Sequence, residues 1–196
     1  MSGLVRKTLG DDVTYVEQTE QLGTGHAVAC TEIEIQKRNP DYVMILLGDH
    51  PFLKLNSLNM IADKIESTGA DLVMGTVYVP DFEGWRNAFQ SWGRIIRNTD
   101  GSIHKIQEYR DCNDDEKKCL EVNPLFMCFK TDVLFRELKE CTNENTQGEY
   151  YLTSVVASLD AKGSLIETVP IEASEAIGIN TAEELMRAEE FFNSEM

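Results

Sequence analysis

The chain has 196 residues, 42% of them hydrophobic and 27% charged, and carries a formal net charge of -16. That length and balance describe a soluble globular protein with one core, two small domains being the weaker alternative. The acidic excess argues against a nucleic-acid backbone or an acidic membrane as partner, and no apolar run approaches a membrane span.

Any phosphate ligand needs a local cation against that overall field. The start, from Met1 to Lys7, lacks the apolar core of a secretory signal. The five cysteines form no Cys-x-x-Cys pair. Cys30 and Cys128 fall in apolar patterns and read as small core residues of a reducing compartment, so the cytoplasm is expected.

Leu4 to Leu9 reads as the end of a helix closed by Gly10, and Val13 to Gln18 alternates like a strand. A helix is expected from about Thr24 to Arg38. Val43 to Leu47, five apolar residues between Pro40-Asp41 and Gly48, reads as a strand buried on both faces in the middle of a mostly parallel sheet. The next helix has Leu58, Ile61, Ala62 and Ile65 on one face, with Asn56 or Ser57 as cap, and Asp71 to Val79 is another strand. Gly93–Arg97 and Ile103–Gln107 flank a turn at 98–102 and predict a hairpin. Asn113 to Cys119 is a short helical turn in a charge run. Glu121 to Phe129 is a strand whose Pro124 must sit at an edge or a bulge. Thr131 is placed as the cap of a helix ending near Cys141. Leu152 to Lys162 is a helix closed by Gly163, and Leu165 to Val169 a strand. The last helix opens on the capping box Thr181-Ala-Glu-Glu184, and Phe191-Phe192 is expected to dock it. Alternating helices and strands with an inserted hairpin predict an open, mixed, mostly parallel α/β sheet with helices on both faces, in one domain over residues 1–196.

Sheets of this kind bind ligands at the carboxyl ends of their strands. Asp49 lies just past such an end, after Gly48, whose missing side chain lets backbone approach a ligand, and before Pro51. It is a candidate metal ligand; the competing reading of Gly-Asp-His-Pro is a plain turn. Gly23-Thr-Gly25-His-Ala lacks the third glycine of a dinucleotide fingerprint. His26, His50 and His104 have no metal-binding spacing and read as turn or surface residues. No nucleophile motif is evident.

Taken together, several segments resemble the uridylyltransferase domain of bacterial N-acetylglucosamine-1-phosphate uridylyltransferase. Gln18-Thr-Glu-Gln-Leu-Gly-Thr-Gly-His-Ala27 is similar to that family's Gln-x-Glu-Gln-Leu-Gly-Thr-Gly-His-Ala, and Gly48-Asp49-His-Pro51 to its Gly-Asp-x-Pro. Gly93-Arg-Ile95, Glu108, Asn123, Gln147-Gly-Glu-Tyr-Tyr-Leu-Thr153 and Gly178-Ile-Asn180 follow in the family's order. The resemblance implies a Rossmann-like nucleotide-diphospho-sugar transferase fold. It also implies transfer of UMP from UTP to N-acetylglucosamine 1-phosphate, with Mg²⁺. Gln18 would read uracil, Gly23 and Thr24 would bring backbone to the base, and Leu47 and Gly48 would lie against the ligand. Gly93, Glu108 and Asn123 would hold the sugar, and Asp49 and Asn180 the Mg²⁺. No protein nucleophile is expected.

The family's opening strand and glycine-rich phosphate loop have no counterpart here, nor does its acetyltransferase domain; the chain is expected to start inside the fold's second helix. Leu47 stands where the family often has Tyr, and Pro124-Leu125 follows Asn123 in place of Thr-Gly. An unpaired edge beside the strand ending at Asp49 is then expected to favour a homo-oligomer or a complementing chain, and this chain alone to turn over UTP poorly. A nucleotide-sugar-binding module without catalysis, or a transferase for another sugar phosphate, are the alternatives.

Overall fold

The largely apolar 71–79 run becomes the strand on which the sheet is built. The computed structural model describes residues 2–195, apart from the side chains of residues 2, 187 and 190–195, so the Phe191-Phe192 pair lies outside the described residues. Before that strand come helices α1 (Ser2–Leu9), α2 (Thr24–Ala29), α3 (Glu32–Arg38) and α4 (Leu55–Thr68), and strand β1 (Tyr42–Ile45). The strand itself, β2 (Leu72–Tyr78), is buried up to Val77. The hairpin of β3 (Arg94–Arg97) and β4 (Ile103–Gln107) follows, then the two-residue β5 (Glu121–Val122) and β6 (Met127–Lys130). Helices α5 (Thr131–Leu138) and α6 (Ser154–Ala161), strand β7 (Ile166–Pro170) and helix α7 (Ala182–Glu195) complete the order.

One edge of β2 takes β7 in parallel, from Leu72 opposite Ile166 to Thr76 opposite Pro170. The other takes β6 and then β5, both antiparallel. Beyond β6 lies β1, antiparallel, while β3 and β4 extend from β5. The sheet is therefore dominated by antiparallel pairs, which corrects the mostly parallel sheet expected from the alternation of helices and strands. The strands joined through helical crossovers, β1, β2 and β7, do share one direction. β6 arrives after the hairpin insertion, runs the other way and wedges between β1 and β2. Each of its two neighbours is then antiparallel to it.

Among the described residues β1 pairs with β6 alone, so it lies at the end of the sheet and not in its middle. Its residues are half-buried, and Leu46 and Leu47 beyond it are exposed, so the Val43–Leu47 run is not the doubly covered strand its composition suggested. Residues 13–18 form no strand: no strand among the described residues pairs with them, and Val13 and Val16 remain exposed. The 24–38 helix is interrupted at Cys30–Thr31, where the Thr31 hydroxyl donates to the Val28 carbonyl at 2.6 Å.

Side chains alternate across the sheet. Leu72 and Met74 of β2, with Met127 and Phe129 of β6, pack under α5 and α6; Val73, Val77 and Cys128 face α4. Helices thus cover both faces, as expected. All five cysteines are free thiols, with Cys128 buried and Cys30 half-buried.

The expected caps are only partly formed. Thr181 and Glu184 make the capping box, with Glu184 N–H donating to Thr181 Oγ1 at 3.1 Å and Thr181 N–H to Glu184 Oε2 at 3.0 Å. Neither Asn56 nor Ser57 caps α4. Its N-terminus lies against buried Glu175, which accepts from Lys54 N–H at 3.0 Å. Thr131 donates to the Pro40 carbonyl instead of capping α5. Pro124 falls in the break between β5 and β6, where it cancels no ladder bond.

Candidate functional site

Five segments that are remote in sequence meet at the carboxyl end of β1. They enclose a cavity of about 250 Å³, lined by Leu47, Asp49 and His50, by Ser91 to Gly93, by Glu108, by Asn123 to Leu125, and by Gly178 and Asn180. Asp49 is placed by backbone: its carbonyl accepts from Ile179 N–H at 2.9 Å, which ties the turn after β1 to the segment leading into α7. A Cβ on Gly178 would come 3.5 Å from Asp49 Oδ2, so this glycine keeps the carboxylate uncovered. Among the described residues the only polar contact of that carboxylate is His50 Nε2, at 3.5 Å. Asn180 uses its backbone N–H on Glu184 and leaves its side-chain amide uncommitted.

His50 is not the surface residue the sequence suggested. Its ring is buried edge-on against Phe126 and Trp92, with centroids 5.1 and 5.7 Å away. Burial pushes its pKa down, against opposing pulls from Asp49 and the Ala176 backbone, so it stands behind Asp49 as a neutral ring. No spacing rule marks this residue, because its role comes from the aromatic wall around it.

On the opposite wall, Glu108 Oε1 accepts from the Thr153 hydroxyl at 2.7 Å, which leaves Oε2 for a ligand. Burial pushes its carboxyl above the ordinary range; the Thr153 bond opposes this, and nearby Asp111 and Glu149 add to it. A Cβ on Gly93 would stand 2.9 Å from Ile106 Cγ2 and 3.6 Å from both Glu108 oxygens, so only glycine leaves this wall open. Asn123 donates its backbone N–H to Gly93 O at 3.0 Å, while its Oδ1 accepts from Leu125 N–H at 3.0 Å. Only its NH₂ remains for a ligand. Leu125, at φ +64°, is a strained residue in the cavity wall.

The neighbouring loop is built against residues 149–153. Gly25 N–H donates to Tyr150 O at 2.8 Å, Tyr150 N–H to Leu22 O at 2.7 Å, and Leu152 N–H to Thr24 Oγ1 at 3.1 Å. Gln18 Nε2 reaches Gly23 O at 3.1 Å and His26 Nδ1 at 3.0 Å. Thr153, next along that strip, is the residue bonded to Glu108, so one short segment connects the loop to the cavity. Of the residues singled out in the sequence, Leu47, Asp49, Gly93, Glu108, Asn123 and Asn180 line the cavity. Gln18, Gly23 and Thr24 belong to the adjoining loop. Gly48 is exposed, between Leu47 and Asp49 of the cavity wall. Among the described residues no three His, Cys, Asp or Glu side chains cluster as a metal site, and no helix is long and apolar enough to cross a membrane.

The fold is shared with a solved nucleoside-diphosphate-sugar pyrophosphorylase. A nucleoside-diphosphate-sugar pyrophosphorylase from Vibrio cholerae superposes with a TM-score of 0.64 at 17% identity, over 95% of this chain and 75% of that one. In sequence the chain is similar to proteins named bifunctional protein GlmU. It is 38% identical to that of Shouchella clausii over 186 residues, 94% of this chain and 39% of the relative. It is likewise 38% identical to that of Clostridium beijerinckii over 189 residues, 96% of this chain and 39% of the relative. The chain thus spans about 39% of the length of these relatives. No family model matches it.

Proposed function

We propose that this chain carries the uridylyltransfer site that joins UMP from UTP to N-acetylglucosamine 1-phosphate, releasing pyrophosphate. The observation that carries this reading is the cavity itself, where Asp49, Asn180, Glu108, Asn123 and Gly93 converge with unused polar atoms. Its volume of about 250 Å³ suits a monosaccharide. Whole drug-sized ligands occupy about 300–1,000 Å³. The sugar phosphate would sit inside it, and the nucleotide would extend onto the loop that holds Gln18.

The polar atoms match such an acceptor. Glu108 Oε2 accepts from a sugar hydroxyl, and the Asn123 NH₂ donates to an acetamido carbonyl. Gly93 leaves room for the ring. The open Asp49 carboxylate and the uncommitted Asn180 amide are hard oxygen donors and fit Mg²⁺, which takes few protein ligands and completes its shell with water and phosphate. Asp49 and Asn180 would hold the ion, which when bound neutralises charge between the two phosphates. The need is real: two unit charges 4 Å apart repel by about 4 kcal/mol at an effective dielectric near 20. Orientation and charge compensation supply most of what phosphoryl transfer requires, and nucleotidyl transfer shares that requirement.

A different sugar 1-phosphate is the second reading, favoured by Pro124 and the strained Leu125 in the acceptor wall. The test is ligand-induced stabilisation. With Mg²⁺ present, UTP and UDP-N-acetylglucosamine should raise the melting temperature of this chain, and ADP-glucose should not. Equal shifts with all three, or none with these or with UDP-glucose, would end the proposal; a shift with UDP-glucose and none with UDP-N-acetylglucosamine would move it to the second reading.

A further inference from the structure

Resting on the uridine-reading role of Gln18, we infer that His26 is a positioning residue that fixes the Gln18 amide as an acceptor-only reader of the base. A carbonyl can only accept, so the atom of Gln18 lying 3.1 Å from Gly23 O must be the NH₂ end of the amide. The second hydrogen of that NH₂ points at His26 Nδ1, 3.0 Å away. Nδ1 must therefore accept, which leaves the proton of the neutral ring on Nε2. Nε2 in turn faces Cys30 Sγ at 3.8 Å, a weak acceptor one helical turn further along.

The chain of donors runs in one direction, from the Gln18 amide to His26 to Cys30. Both amide hydrogens are spent inside the protein. What Gln18 can offer a ligand is Oε1 alone. An acceptor set opposite N3 of the base favours uracil, which carries a hydrogen there. It repels cytosine, whose N3 is a lone pair, so discrimination comes as much from that repulsion as from the bond to uracil. Gly23 and Gly25 complete the device. A Cβ at either would stand within 3.0 Å of Tyr150 O, so the loop that supplies the Gly23 carbonyl docks only with glycine at both positions.

Two measurements test this. The first needs no ligand: long-range ¹H–¹⁵N spectra of the labelled protein at a pH where the ring is neutral should report the Nε2–H form of His26, and the Nδ1–H form overturns the inference. The second is calorimetric binding of UTP, CTP and N3-methyl-UTP with Mg²⁺ to the wild-type chain and to His26→Phe and His26→Asn. Wild type should prefer UTP over the other two by about 100-fold, the loss expected when a buried polar group is left unpaired. His26→Phe, which removes the acceptor and frees the amide to turn, should cut the UTP-to-CTP ratio about tenfold, while His26→Asn, which restores an acceptor, should keep most of it. An unchanged ratio in His26→Phe overturns the inference. If no uridine nucleotide binds the wild type, the proposed function falls, and the tautomer measurement still decides the role of His26.

Discussion

Gly23→Ala tests whether the loop bearing Gln18 is held by its backbone. Gly23 has φ +107° and ψ 177°, a region essentially reserved for glycine, where another residue costs about 1–3 kcal/mol. An added Cβ would also lie 2.7 Å from Tyr150 O and 2.9 Å from Glu149 Cβ. Tyr150 cannot retreat without stretching the bonds from Gly25 N–H and to Leu22 O, each worth about 1 kcal/mol. Keeping the loop docked would therefore cost about 3–5 kcal/mol. Undocking it forfeits only those two bonds and the Thr24–Leu152 contact, so the loop should lift away while the sheet stays folded. Urea unfolding should lose about 2–3 kcal/mol, and the Gly25 and Tyr150 amides should exchange about 100-fold faster than wild type, with β2 amides following the global change alone. A variant that keeps both amides protected and loses less than about 0.5 kcal/mol refutes the docking argument.

Two glutamates, Glu108 half-buried and Glu137 buried, should respond to pH with opposite sign. Burial raises the Glu108 pKa, so over the window between the ordinary and raised values the folded state keeps a proton that the unfolded chain has released, and stability falls as pH rises. Glu108→Gln should therefore be more stable than wild type at about pH 8, with the gap closing towards about pH 4; urea midpoints across that range check it. Burial alone would raise the Glu137 pKa too, but bonds from Lys162 and Ser158 at 2.7 Å and Arg136 at 3.1 Å hold it below the ordinary range. Its contribution is present above the unfolded pKa and fades as pH falls, so Glu137→Gln should cost about 1.5–3 kcal/mol at neutral pH and flatten the acid limb of the stability profile. Asp49→Asn should leave the urea midpoint within about 0.5 kcal/mol of wild type, its carboxylate being open, yet remove the Mg²⁺ dependence of nucleotide binding. Mg²⁺-dependent calorimetry that is unchanged in this variant takes Asp49 out of the site.

Part of the site is legible in the sequence because a glycine beside a short polar string announces special backbone, and the rest through its resemblance to a known family. Asp49 is marked that way, while Gly93, Asn123 and Asn180 are marked by the family resemblance alone; all four line one cavity. His50 and Trp92 carried no such mark, since an aromatic wall is made by residues that meet only after folding. Open space surrounds Gly48, as the approach of a ligand to its backbone would require. The elements were legible where the pattern was local, as in β2, the 94–107 hairpin and the box at Thr181. Sheet order was not. The placement of β6 between β1 and β2 depends on competition among strands for partners, and apolar content is the same in a strand at the edge and one in the middle.

That same wedge sets a timetable for biosynthesis. β2 is made early, yet one flank waits for β6 and the other for β7, which leave the ribosome much later. Until residue 170 has emerged, a seven-residue hydrophobic ribbon has no complete set of partners. Holding that ribbon apart from other nascent chains, by α4 or by a chaperone, becomes a condition of yield.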